Sequence, residues 1–95
     1  MPAFIALIDF TTKGVENLNQ SPDRSDAFIK WAESNGVTVK ELYWTTGGHD
    51  GVLIIDAPDE LKANSIFLKL ASAGNVRTQT MRAFNRAEFE SCLPK

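Results

Sequence analysis

Ninety-five residues, 43% hydrophobic and 23% charged, with a formal charge of -2, describe one soluble domain of ordinary composition. That balance has no basic surplus, which excludes sequence-independent nucleic-acid binding by counterion displacement. The N-terminal apolar run is too short for a membrane span or a signal segment and has no basic residue before it. The one cysteine, Cys92, has no internal partner and suits a reducing compartment, so a cytoplasmic protein is expected.

In chain order, Phe4-Ile5-Ala6-Leu7-Ile8 is apolar on both parities and ends at Asp9-Phe10. A half-buried strand would alternate, so this run predicts a strand buried on both faces. Thr11-Thr12 opens a polar stretch with room for one short turn around Val15 and Leu18. Ser21-Pro22-Asp23 starts a helix: Ser21 can cap, Pro22 needs no N–H partner in the first turn, and Asp23 and Asp26 favour the positive end of the dipole. Ala27, Phe28, Trp31 and Ala32 form its apolar stripe, and Asn35-Gly36 stops it. Val37 to Thr46 reads as a strand of polar bias ending in Leu42-Tyr43-Trp44 and the turn segment. Thr45-Thr46-Gly47-Gly48-His49-Asp50-Gly51 holds three of the six glycines and the only histidine. Here Gly47-Gly48 offers positive-φ positions for a hairpin, and Asp50-Gly51 can close it through a side-chain-to-backbone bond.

Val52-Leu53-Ile54-Ile55 is again apolar on both parities. Pro58-Asp59-Glu60 starts a second helix with the stripe Ala63, Ile66, Phe67, Leu70 and Ala73, ended by Gly74. Asn75 to Phe84 is a fourth strand, polar in part. Asn85 and Glu88 have the spacing of an N-cap signature for a short last helix carrying Phe89, Cys92 and Leu93. Cys92 at apolar spacing from Phe89 reads as a small, at least partly buried thiol rather than a nucleophile.

The order β-α-β-β-α-β is the ferredoxin-like unit, an α+β fold with a four-stranded antiparallel sheet of order 4-1-3-2 and helices on one face. The two uniformly apolar strands, first and third, take the centre. The two carrying charges and threonines take the edges, where such residues blunt unwanted pairing. Central strands apolar on both parities need a second cover, and no other segment is long enough to supply it. A sheet-to-sheet homodimer, the dimeric α/β barrel, meets that need.

Several residues along this pattern carry a family likeness: Tyr43, Thr46-Gly47, Gly48-His49-Asp50, Asp56-Ala57-Pro58-Asp59, Gly74-Asn75-Val76-Arg77-Thr78 and Arg82-Ala83-Phe84. Together they resemble the GYD-domain family over nearly the whole chain, with His49 standing where the motif has tyrosine. The resemblance implies a branch of the dimeric α/β-barrel proteins, and an activity that the family leaves undefined.

Topology gathers candidate site residues. The end of the first strand (Asp9, Phe10, Thr11), the turn before the third (His49, Asp50) and the start of the fourth (Asn75, Arg77) meet at one rim of the sheet. His49 and Asp50 are the candidate acid–base groups and Arg77 the candidate anion stabiliser, with Asp9 between them as a ligand-binding candidate. Turn chemistry fully explains Asp50 and the glycines and is the favoured reading of them. A solvent-facing turn histidine is as natural a reading of His49 as an acid–base group, and Arg77 beside Asp9 or Asp50 also reads as a structural ion pair. Core packing is the favoured reading of the aromatics, yet Phe28, Trp31 and Phe67, with one of Tyr43 and Trp44, would also line any pocket between helices and sheet. One histidine and one distant cysteine form no recognised metal set, and no cofactor motif is visible. The expected function is a small homodimeric ligand-binding or accessory module. The alternative is a cofactor-free isomerase or monooxygenase acting on a small apolar or aromatic substrate, and a purely structural interaction protein is a third class. A small-molecule ligand and a second copy are the expected partners, with no nucleic acid and no membrane.

Overall fold

The computed structural model describes residues 1–94, and these form four strands and four α-helices. They are β1 (Ala3–Phe10), α1 (Thr12–Glu16), a 3-10 turn (Leu18–Gln20), α2 (Ser21–Ser34), β2 (Thr38–Trp44), β3 (Gly51–Asp56), α3 (Glu60–Ser72), β4 (Val76–Ala83) and α4 (Arg86–Cys92). All three pairings are antiparallel and the sheet order is β2-β3-β1-β4, which from the opposite edge is β4-β1-β3-β2. The architecture is α+β and ferredoxin-like. Among the described residues no helix is long and apolar enough to cross a membrane.

Alternation along the central strands decides what is buried. Phe4, Ala6 and Ile8 of β1 and Leu53 and Ile55 of β3 point to the helices and pack with Ala32, Val37, Ala63, Ile66 and Phe67. Ile5, Leu7, Val52 and Ile54 point the other way, aligned as Ile5 opposite Ile54 and Leu7 opposite Val52. Sheet neighbours shield them only halfway. The apolar runs expected to be buried on both faces are thus buried on one within a single chain. The shortest dimension of the molecule is 18 Å, the depth of one sheet and one helix layer.

Local signals set most boundaries. The Asp59 carboxylate accepts from Lys62 N at 2.8 Å and caps α3, with Pro58 just outside the helix. Asn85 and Glu88 form a reciprocal capping box at α4, in which each side chain occupies an otherwise orphaned N–H. Ser21 departs from expectation: Gln20 is the N-cap of α2 and makes no side-chain cap bond. Ser21 lies inside the first turn, nearly buried, and its hydroxyl accepts from the Trp44 indole N–H at 3.0 Å. The 3-10 turn feeds directly into α2, so the helix needs no separate capping residue there. The polar stretch after β1 folds further than a single turn. Thr11 caps α1 by accepting from Gly14 N at 3.1 Å, and Gly14 presses against β4 so closely that a Cβ would stand 2.0 Å from the Asn75 carbonyl oxygen.

Cys92 and Phe89 are exposed, against the expectation of a partly buried thiol. A seven-residue helix beyond the last strand has too little surface to reach the core that α2 and α3 occupy.

Candidate functional site

The rim of the sheet is built by the turn between β2 and β3. Gly47 sits at φ 114, a conformation open to glycine at little cost; Gly48 has no positive φ. Thr45 N donates to Asp50 O at 2.9 Å, and Thr45 Oγ1 donates to His49 O at 2.7 Å. The Asp50 carbonyl thus closes the hairpin, while the side chain, expected to do so, ties the turn to β1 instead. The Asp50 N–H donates to Ile8 O at 2.8 Å, and its carboxylate accepts from Phe10 N at 2.9 Å. The Asp50 side chain therefore takes the place of a backbone acceptor where the β1–β3 ladder ends.

The chain fixed in this way carries His49 over the end of β1. His49 Nδ1 lies 3.2 Å from both carboxylate oxygens of Asp9, and the two side chains are 34% and 30% exposed. Arg77 is directly across the strand pair from Asp9, yet its side chain is exposed and forms no ion pair among the described residues. Topology thus delivers Asp9, His49, Asp50 and Arg77 to one rim, and geometry sorts them. Asp9 and His49 form a half-exposed pair, Asp50 is held by backbone, and Arg77 is free. The expected Arg77 ion pair is replaced by the imidazole, which reaches Asp9 first.

Across the sheet, on the helix side, lies a cavity of about 340 Å³ between α2 and α3. Its walls are Phe28 and Trp31 of α2 and Leu70 of α3, its floor is Leu42 and Leu53, and Arg24 and Lys69 flank it. Of the ligand-binding candidates, only Phe28 and Trp31 line it. Phe67 is packed into the core. Tyr43 is on the opposite face, where its hydroxyl donates to Glu41 Oε2 at 2.8 Å; that bond and the neighbouring negative charge raise the phenol pKa. Trp44 faces the helix side as alternation requires, but lines a shallower groove with Ser25, Val39 and Leu42. Asp9 and the catalytic candidates His49, Asp50 and Arg77 do not reach the cavity. Arg24 and Lys69 were not singled out from sequence. The available signal was spacing: Ser21, Arg24, Phe28 and Trp31 share one side of α2, so two polar residues interrupt an otherwise core-facing stripe. Among the described residues no three His, Cys, Asp or Glu side chains come together as a metal site.

The fold and the half-exposed rim define a small ferredoxin-like domain with one uncovered sheet face. The GYD domain model matches residues 4–93, and the chain belongs to the GYD domain family. It is 35% identical over 90 residues to a protein of Thermus thermophilus, covering 94% of this chain and 95% of the relative. That relative is named glutamine synthetase and cystathionine beta-lyase binding protein. Two solved structures share the fold. The crystal structure of FFRP-DM1 superposes with a TM-score of 0.64 at 16% identity, over 88% of this chain and 100% of that one. The crystal structure of TTHA0845 from Thermus thermophilus gives 0.58 at 23% identity, over 90% of this chain and 95% of that one.

Proposed function

We propose that this protein is a homodimeric accessory module that docks on metabolic enzymes, glutamine synthetase and cystathionine β-lyase being the first to test. The observation that carries this reading is the 35% identity, across 94% of the chain, to a relative named for binding those two enzymes. Pairing is supported by the uncovered sheet face. Ile5, Leu7, Val52 and Ile54 form its centre, with Met81 and Tyr43 exposed on the flanking strands at 46% and 54%. A contiguous apolar surface of this kind marks an interface, and a second copy offers the same surface in self-complementary form. Phe84, just before α4, with Phe89 and Leu93 adds a second set of exposed apolar side chains for contact with a larger partner. The cofactor-free enzyme reading has less support, because His49, Asp50 and Arg77 stand outside the cavity.

The test mixes the purified protein with each enzyme and follows the mixture by size-exclusion chromatography with light scattering. Co-elution with at least one enzyme is expected. Failure to bind either at about 50 µM, a concentration that reveals even weak complexes, overturns the docking reading. The same instrument weighs the protein alone. Twice the 10.5 kDa chain mass is expected, falling to the single-chain value in Leu7→Asp; a wild-type monomer overturns the pairing.

A further inference from the structure

The cavity between α2 and α3, about 340 Å³ and within the range of small-molecule sites, differs in two respects from hollows of similar volume elsewhere on the chain. Its surface is aromatic and aliphatic, from Phe28, Trp31, Leu42 and Leu70. Its charge is one-sided: Arg24 and Lys69 line it, and no Asp or Glu does.

Both cations are without a carboxylate partner among the described residues. Arg24 Nη1 donates to Asn17 O at 2.8 Å, which orients the guanidinium and leaves its other N–H groups unengaged. Lys69 Nζ stands over the Trp31 ring, 5.5 Å from its centroid, a cation–π placement that keeps the ammonium against the cavity wall. In a chain of net charge -2, two cations from different helices flank one apolar hollow. An anion on an apolar body satisfies both properties together: the body displaces water from the aromatic walls and the head meets the cationic flank. A zwitterion or an amine would leave its ammonium beside two positive charges with no acceptor carboxylate.

We infer that this cavity is a binding site for a small apolar carboxylic acid, with Phe28, Trp31 and Leu70 holding the body and Arg24 and Lys69 the carboxylate. The site goes beyond the docking reading. It is assayed without any enzyme present, so either can fail while the other stands.

Three probes with one phenylalkyl body separate the contributions: phenylbutyrate, phenylbutanol and phenylbutylamine, each titrated calorimetrically into the intact wild-type protein. The acid is expected to bind tightest, the alcohol more weakly and the amine weakest. In the double variant Arg24→Gln, Lys69→Gln the acid loses about tenfold in affinity while the alcohol is unchanged, the scale of one lost charge-assisted contact. Ala73→Trp, which projects an indole into the hollow, abolishes binding of acid and alcohol alike. Ala27→Trp fills it from the opposite wall where the first variant fails to fold by circular dichroism. The inference is overturned by equal affinities for acid and alcohol, by an unchanged preference in the double variant, by binding that survives a folded filling variant, or by no heat from the acid up to about 10 mM.

Discussion

Replacing Asp50 by alanine separates the two roles that its turn suggests. In the structure the Asp50 carboxylate accepts from Phe10 N at 2.9 Å, in a half-buried position at the junction of β1, β3 and the turn. Alanine removes the acceptor and leaves that N–H without a protein partner where the ladder ends. An unsatisfied, partly shielded donor costs about 1–3 kcal/mol. Partial access to water places this one near the lower half of that range, and a domain of this size loses roughly 4–8 °C in Tm per kcal/mol. Asp50→Ala is therefore expected to melt about 4–16 °C below wild type on these scales. Asp50→Asn keeps an acceptor oxygen at the same reach and should recover most of the difference. His49→Ala removes only a half-exposed pair with Asp9, a class of contact that contributes about 0.2–1 kcal/mol, so its shift should be the smaller. Thermal and urea denaturation of the three variants at neutral pH gives the ranking. Full stability in Asp50→Ala, or a larger loss in His49→Ala, would show that the backbone tie does not hold the turn.

Gly14→Ala should be among the most disruptive single-methyl changes in the chain, because the new Cβ would stand 2.0 Å from the Asn75 carbonyl oxygen and α1 must move away from β4. Overpacking of this kind costs about 1–3 kcal/mol, and a urea midpoint equal to wild type would refute it. The Glu88 carboxylate accepts from Asn85 N at 3.0 Å, and this backbone bond is the first cause of a pKa below the usual carboxylate value, with Arg82 adding to it. A depressed folded-state pKa gives stability that is complete above the unfolded value and is lost as pH falls through the folded one. The α4 capping box should therefore persist to below pH 4.5 and then open, while Glu88→Gln shows no such step. An NMR titration of the Glu88 carboxyl that ends at or above the ordinary range counts against this assignment.

Much of the fold was legible because periodicity carries it. Continuous apolar runs at Phe4–Ile8 and Val52–Ile55 mark the centre of the sheet, and topology alone brings Asp9, His49, Asp50 and Arg77 to one rim. What sequence cannot rank is contact at the scale of a few ångströms. Asp9 faces Arg77 in register but pairs with His49, because a turn residue approaches from above the strand while a cross-strand side chain lies beside it. Ser21 has the chemistry of a cap and serves instead as the acceptor for Trp44, since the preceding 3-10 turn already starts the helix. Residue type alone does not say which aromatics line the pocket, because the faces of β2 and α3 decide the matter: Tyr43 looks away from the helices and Phe67 into the core. The charged flank of the cavity has no signature in the sequence, because Arg24 and Lys69 lie on different helices and no spacing rule within one segment connects them.

The sheet separates these features into two surfaces, and the separation matters for how an accessory protein could work. On one side, Ile5, Leu7, Val52 and Ile54 present an apolar face with no covalent or charged chemistry at its centre, which fits stable, permanent pairing. On the other, the cavity opens between helices whose outer residues remain in solvent, so a ligand can enter it while the sheet face is covered. Leu53 lines the cavity floor, and its neighbours along β3, Val52 and Ile54, point to the opposite face. Any ligand that shifts β3 by a fraction of an ångström is thus one peptide unit away from the face proposed to pair. Coupling between the two faces would run through this strand and would be reciprocal: a ligand that tightens a dimer must itself bind more tightly to the dimer than to the monomer. Measuring phenylbutyrate affinity in wild type and in Leu7→Asp reads that coupling directly. Equal affinities mean that the two faces act independently.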